Sequence, residues 1–198
     1  MGHRRKTAAQ IRKDILTQRE EMRREDVILK SYIILENFIS RIDVKKYTKA
    51  FVYLNFRNEP ISGGIIHYLL EHTLTVSAPR IDRTDNLMRP CIITDAIDDL
   101  AVDPFGFRTP SAHAPTADPS SIDLVIAPGV AFDETGNRIG FGRGYYDTFF
   151  RGNAKALRVA LAYDFQVLRE LPVTPRDEKI DMIITETRIL TPYARTSL

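Results

Sequence analysis

Three glycines at alternate positions, Gly140, Gly142 and Gly144, sit inside the run Gly136-Asn137-Arg138-Ile139-Gly140-Phe141-Gly142-Arg143-Gly144-Tyr145-Tyr146-Asp147. A backbone without side chains lets its N–H groups close on an anion and tolerates the dihedrals this needs. A helix over 145–150 would aim its positive end at the same place. Arg138 and Arg143 flank the glycines, and their paired N–H donors suit phosphate oxygens. Asp147 offers a carboxylate to magnesium, which takes few protein oxygens and completes its shell with water and phosphate. The chemistry spelled out is the binding of a polyphosphate with its metal. Glycine-rich turns between strand and helix also occur as plain structure, and this one matches neither the phosphate loop ending in Gly-Lys-Ser/Thr nor a dinucleotide fingerprint. Spacing alone leaves the two readings even.

Other reaction types find little support. His3, His67, His72 and His113 are scattered and Cys91 is the only cysteine, so no zinc cluster, intrachain disulfide or convincing nucleophile–base pair is spelled out. A reducing cytoplasm is the expected compartment. With 28 basic against 26 acidic side chains, the charge field gives no reason to expect nucleic acid or a membrane as partner. The basic start is followed by polar residues rather than a signal-type apolar run, and no segment is apolar enough to span a bilayer. At 198 residues and 43% hydrophobic, the chain suits one domain over 1–198, expected as a monomer.

The elements that must position the glycine run can be read from periodicity. A helix is expected over 7–22, with Thr7 as cap and Ile11, Ile15 and Leu16 as its apolar positions. A second helix over 25–39 would bury Val27, Ile28, Tyr32, Leu35, Phe38 and Ile39. Strand 50–54, helix 64–72 and strand 74–78 form a βαβ unit with a right-handed crossover, and further strands are expected over 122–127, 158–162 and 182–184. The span 81–94 reads as an excursion with its own hairpin, and 102–119, rich in proline and small polar residues, as a long surface loop. The fold class is therefore α/β: a single domain with a mostly parallel sheet and helices on both faces.

Pro128-Gly129-Val130-Ala131-Phe132-Asp133, together with Gly136 to Gly140 and Gly142-Arg143-Gly144-Tyr145-Tyr146-Asp147, resembles the signature of the 5-formyltetrahydrofolate cyclo-ligase family. The likeness extends along the chain through Arg12, Asn58-Glu59, Ala78-Pro79-Arg80 and Asp177-Glu178-Lys179-Ile180-Asp181. It implies a fold of the ribose-isomerase and CoA-transferase type, with ATP on the glycine loop and a reduced folate, 5-formyltetrahydrofolate, opposite it. By this resemblance Gly140, Phe141, Gly142, Gly144 and Tyr145 surround the phosphates, Arg12, Arg138 and Arg143 neutralise them, and Asp147 and Asp181 hold Mg2+. Glu59 accepts hydrogen bonds from the pterin, Phe56, Phe105 and Tyr146 supply flat walls, and Arg143 and Tyr146 stand nearest the chemistry. The implied reaction is ATP-dependent closure to 5,10-methenyltetrahydrofolate with release of ADP and phosphate.

Structural readings stand beside these roles: a solvated carboxylate for Glu59, core packing for the aromatics, and a strand-start charge beside Lys179 for Asp181. Family members usually carry a lysine where this chain has Ala8 and a glutamate where it has Thr109, and Pro60 interrupts the stretch after Glu59. Those departures keep two alternatives open: an ATP-dependent ligase or kinase on another small acid, and a non-catalytic nucleotide- or folate-binding protein.

Overall fold

The computed structural model describes residues 6–82, 84–85, 87–95, 98–103, 106–172, 174 and 177–192. β1 (Lys49–Val52), β6 (Leu124–Ala127), β9 (Leu157–Leu161) and β11 (Met182–Ile184) are mostly apolar and mostly buried, as strands covered from both sides must be. They run parallel in the order β11-β9-β6-β1, and β2 (Thr75–Asp82) continues the parallel set beyond β1. Antiparallel strands close both edges: β3 (Leu87–Ile93) on β2 and β12 (Ile189–Leu190) on β11.

Successive strand residues point to opposite faces, and the two cores divide accordingly. Ala50, Val52, Leu124, Ile126, Val159, Leu161 and Ile184 join Ile34 and Phe38 of α2 (Arg24–Arg41) and Ile65, Ile66 and Leu69 of α3 (Gly63–Glu71). Phe51, Val125, Ala127, Ala160 and Ile183 join Phe149 and Phe150 of α4 (Tyr145–Gly152). Phe38, Phe51 and Phe150 are fully buried, and each such burial contributes about 1.5–3 kcal/mol. The mostly parallel sheet with helices on both faces is the expected α/β architecture.

A small second sheet, ordered β10 (Val167–Leu168), β7 (Ala131–Asp133), β8 (Arg138–Ile139), lies beside the large one and escapes the strand reading because its members are only two or three residues long. It seats α1 (Ala8–Glu20), whose Ile11 and Ile15 pack with Val130, Ala131, Ile139 and Leu171. Thr7 starts α1 with a reciprocal capping box: its hydroxyl accepts the Gln10 amide while the Gln10 side chain accepts the Thr7 amide.

Two readings are corrected. The buried face of α2 is Val27, Ser31, Ile34 and Phe38, whereas Ile28 and Tyr32 are exposed. Ser31 holds a place on the apolar face because its hydroxyl accepts the Ile61 amide at 3.0 Å, a partner no hydropathy pattern reveals. The span 102–119 is not a bare loop. β4 (Leu100–Val102) pairs antiparallel with β5 (Arg108–Pro110), and the chain then follows β3, where Ile92 donates to the Pro115 carbonyl and Ala117 to the Pro90 carbonyl. An edge strand leaves backbone groups that need partners, and this segment supplies them.

Candidate active site

Parallel α/β sheets gather ligands beyond the carboxyl ends of their strands. Here β1 leads into Tyr53, Phe56 and Glu59, β6 into Gly129 and the small sheet, β9 into Tyr163, and β11 into Glu186. The glycine run follows from the small sheet. Asp133 accepts the amides of Thr135 and Asn137, which tightens the β7–β8 turn and aims the chain through Gly140 into α4. Gly142 and Gly144 adopt φ of 95° and 69°, and Gly144 caps α4. An L side chain there costs about 1–2 kcal/mol, so the glycines are demanded by the path of the loop.

Two arginines approach this loop from other elements and a third stands on it. Arg12, from the second turn of α1, donates from Nε to the Gly140 carbonyl at 2.8 Å. Arg138, buried at the end of the small sheet, donates from Nη2 to Asp147 Oδ1 at 2.9 Å and stands 5.6 Å from the centre of the Tyr146 ring. Arg143 is exposed and lines a groove with Met88, Pro90, Tyr145 and Phe149. Phe141 is half exposed at the loop's crest.

The two aspartates occupy different surroundings. Asp147, in the first turn of α4, is partly open, pairs with Arg138 and receives the Glu178 amide at 3.5 Å. Asp181 is buried at the start of β11, where its Oδ2 accepts the Arg158 amide at 2.8 Å and so ties β9 to β11. Among the described residues no group of three or more His, Cys, Asp or Glu side chains is placed to hold a metal. A magnesium site here would rest on one or two carboxylates, with phosphate and water completing the shell, which is common for that ion. Asp147 fits such a role; Asp181 also carries a structural bond.

A buried cluster of polar side chains lies beside the loop. Glu59 is 4% exposed; its Oε2 accepts the Phe56 amide at 2.9 Å and its Oε1 stands 3.7 Å from Nη1 of Arg19, itself 1% exposed. Burial pushes the Glu59 carboxyl up to about 7, and the Arg19 charge and the Phe56 N–H oppose that rise. The hydroxyls of Tyr53 and Tyr146 are raised well above the usual phenol range, first by burial and then by the Glu59 charge, so both stay protonated as donors. Tyr53 gives its proton to the Pro60 carbonyl at 2.5 Å. Glu59 Oε1, Arg19 Nη1 and the Tyr146 hydroxyl are buried without hydrogen-bond partners among the described residues. Each such atom costs about 1–3 kcal/mol unless something supplies the missing bond. An ordered water or a polar ligand would supply it.

Phe56 stacks on Phe107 at 3.9 Å between ring centres, with the Arg57 guanidinium 5.3 Å from the Phe56 ring. Phe105, expected as a wall, lies outside the described residues; the aromatic at hand is Phe107, two positions on. Arg12, Arg138, Gly140, Phe141, Gly142, Arg143, Gly144, Tyr145 and Asp147 thus lie along one loop and its immediate neighbours, and Phe56, Glu59 and Tyr146 in or beside the adjoining polar cluster. Sequence reasoning missed Arg19, although a signal was present: it continues the buried spacing of Ile11 and Ile15 by four more residues. It also missed Arg158, a buried arginine inside β9 that donates to Glu178 and to the Phe150 carbonyl.

A mostly parallel sheet thus carries an arginine-flanked, glycine-rich loop at the start of α4 beside a buried cluster of Arg19, Glu59 and Tyr146, the frame of an α/β enzyme. The model of the 5-formyltetrahydrofolate cyclo-ligase family matches residues 4–186, and the chain belongs to that family. A probable 5-formyltetrahydrofolate cyclo-ligase of Caenorhabditis elegans is 26% identical over 90% of this chain and 92% of that protein. The mouse 5-formyltetrahydrofolate cyclo-ligase is 24% identical over 82% of this chain and 85% of that protein. The mitochondrial enzyme of Arabidopsis thaliana is 44% identical over 90 residues, which span 39% of this chain and 32% of the Arabidopsis protein. Among solved structures, the 5,10-methenyltetrahydrofolate synthetase of Aquifex aeolicus superposes with a TM-score of 0.83, at 28% identity, over 96% of this chain and 95% of that one.

Proposed function

We propose that this chain closes 5-formyltetrahydrofolate to 5,10-methenyltetrahydrofolate at the expense of ATP, releasing ADP and phosphate. The single observation that carries the reading is the adjacency of two unlike regions: an arginine-flanked glycine loop, and a buried polar cluster in which Glu59 Oε1, Arg19 Nη1 and the Tyr146 hydroxyl have no hydrogen-bond partner among the described residues. Family membership supplies the substrate pair.

The formyl oxygen on N5 attacks the terminal phosphorus of ATP, and the bond to ADP breaks. N10 then adds to the activated formyl carbon and gives up its proton, and phosphate leaves with that oxygen and carries the proton away. The reaction asks for alignment and charge dispersal rather than a side-chain nucleophile. Arg12 fixes the loop through Gly140, while Arg138 and Arg143 bring positive charge to the phosphates at the start of α4. Glu59 accepts N–H donors of the pterin edge and so sets the ring's rotation. Tyr146, joined to the loop and adjoining both Arg138 and Glu59, stands between the halves as a neutral donor. Phe56 and Phe107 wall the mouth and keep water from the activated carbon. Asp147, with Asp181, would hold magnesium, which would supply charge neutralisation on the phosphates.

Purified protein given ATP, magnesium and 5-formyltetrahydrofolate is expected to develop the absorbance of the methenyl product, one ADP per product. No product above background at high protein concentration would reject the activity.

A further inference from the structure

Arg19 is a charged side chain placed where an apolar one would pack. It follows Ile11 and Ile15 on the inner face of α1, is buried as deeply as they are, and its Nη1 meets Glu59 Oε1 across 3.7 Å with neither atom hydrogen-bonded among the described residues. A buried guanidinium in such a position is costly unless it is paired. Its backbone is fixed too: the Asn58 side chain, next to Glu59, donates to the Arg19 carbonyl at 2.9 Å and to that of Met22 at 3.2 Å, which clasps the end of α1 to the Glu59 turn. The guanidinium also lies 5.5 Å from the centre of the Phe141 ring on the glycine loop.

Resting on the folate reading above, we propose that Arg19 is a positioning residue for the folate subsite, keeping Glu59 ionised and aimed into the pocket so that the site selects a ring edge presenting two adjacent N–H donors. A carboxylate can accept both N–H groups of such an edge, whereas a neutral carboxyl keeps one oxygen as a donor and meets one of them proton to proton. Burial alone drives Glu59 toward the neutral form, and the Arg19 charge is the largest opposing influence. The other titratable groups around Glu59 are Tyr53 after β1, Tyr146 on α4 and Tyr163 after β9, with Glu186 beside Tyr163. All three tyrosines are held neutral, Lys30 pairs with Glu186 and Arg138 stands against the Tyr146 ring, so Arg19 is the cation that faces Glu59 itself.

The test is the substrate dependence of turnover and calorimetric binding of 5-formyltetrahydrofolate, across pH, for Arg19→Met, Arg19→Gln and Arg19→Lys. Arg19→Met is expected to raise the folate KM about tenfold or more, the worth of one hydrogen bond to a charged group, with little change in the KM for ATP. In the wild type, folate affinity should weaken as pH falls through about 7, where Glu59 takes up its proton. In Arg19→Met and Arg19→Gln that weakening should begin at distinctly higher pH; in Arg19→Lys it should return toward the wild-type position. The glutamine variant keeps size and polarity, so it reads out the charge even where the methionine variant fails to fold. A folded Arg19→Gln with unchanged folate affinity and unchanged pH dependence overturns the proposal, as does an equal rise in both KM values. A wild type that forms product while the Arg19 series is indifferent sinks this inference alone; a wild type that forms none sinks the proposed function beneath it.

Discussion

The two halves of the site are built on opposite principles. The proposed phosphate side is made largely of backbone, bare glycines and a helix start, with Arg143 exposed, Arg12 partly buried and Arg138 buried beside them. The proposed folate side is made of side chains removed from water, with a carboxylate and a guanidinium enclosed among three tyrosines. A backbone site gains affinity from amides that every sequence possesses, so its residues matter chiefly for what they leave out. A buried side-chain site pays for each charge it encloses, and single substitutions there should change protonation as well as contact.

That contrast can be broken most sharply at the seam between the halves. Asp147→Asn removes the carboxylate beside the loop, and turnover is expected to fall by about two to three orders of magnitude at saturating magnesium, measured as methenyl formation. Because Asp147 also pairs with buried Arg138, the variant should lose thermal stability as well, which a melting curve will show.

On the folate side the expected effect is on stability as a function of pH. The Glu59 carboxyl is raised from 4.5 to about 7 in the folded protein. A group raised on folding stabilises fully below its unfolded value, and that contribution is lost as pH climbs through the folded value. Between about pH 4.5 and 8 the wild type should therefore lose up to about 3 kcal/mol relative to Glu59→Gln, at about 1.4 kcal/mol for each pH unit between the two values. Urea titrations at several pH values measure this, and parallel curves for the two proteins would dismiss the raised carboxyl.

On the phosphate side the effects should be smaller and confined to ATP. Gly142→Ala forces a Cβ into a left-handed conformation and toward Arg12, so the KM for ATP should rise about tenfold for a strain of 1–2 kcal/mol, with folate affinity unchanged by calorimetry. Ala8→Lys places a cation one helical turn before Arg12, on the same face of α1. A few-fold fall in the KM for ATP is expected, in keeping with about 0.5–1 kcal/mol for an exposed charge near an anion; a KM that stays put would mean that this side of α1 faces away from the phosphates.

The same contrast explains what could be read from sequence. The glycine run is legible because its chemistry is a local pattern: alternate glycines, flanking arginines and a following helix stand together in the chain. The parallel sheet is legible for a similar reason, since Val125, Ile126 and Ala127 or Val159, Ala160 and Leu161 announce strands buried on both sides. The buried polar cluster proposed for the folate is not local. Arg19, Glu59, Tyr146 and Tyr163 come from four separate elements, and only tertiary structure brings them together. Arg19 on an amphipathic helix passes for a surface charge until one notices that it keeps step with Ile11 and Ile15. The face of α2 misled in the opposite way: Ile28 and Tyr32 look like core, but the helix turns Ser31 inward because the Ile61 amide needs an acceptor there.

Helix α1 rests on a satellite cluster of few residues, Ile11, Ile15, Val130, Ala131, Ile139 and Leu171, apart from the two larger cores. Small clusters open at lower free energy than the body of a protein. The helix can therefore loosen while the sheet stays intact, and its amides should exchange with deuterium before those of β1 and β6. Since Arg12 and Arg19 ride on it two turns apart, one such excursion would disarm both halves of the site at once.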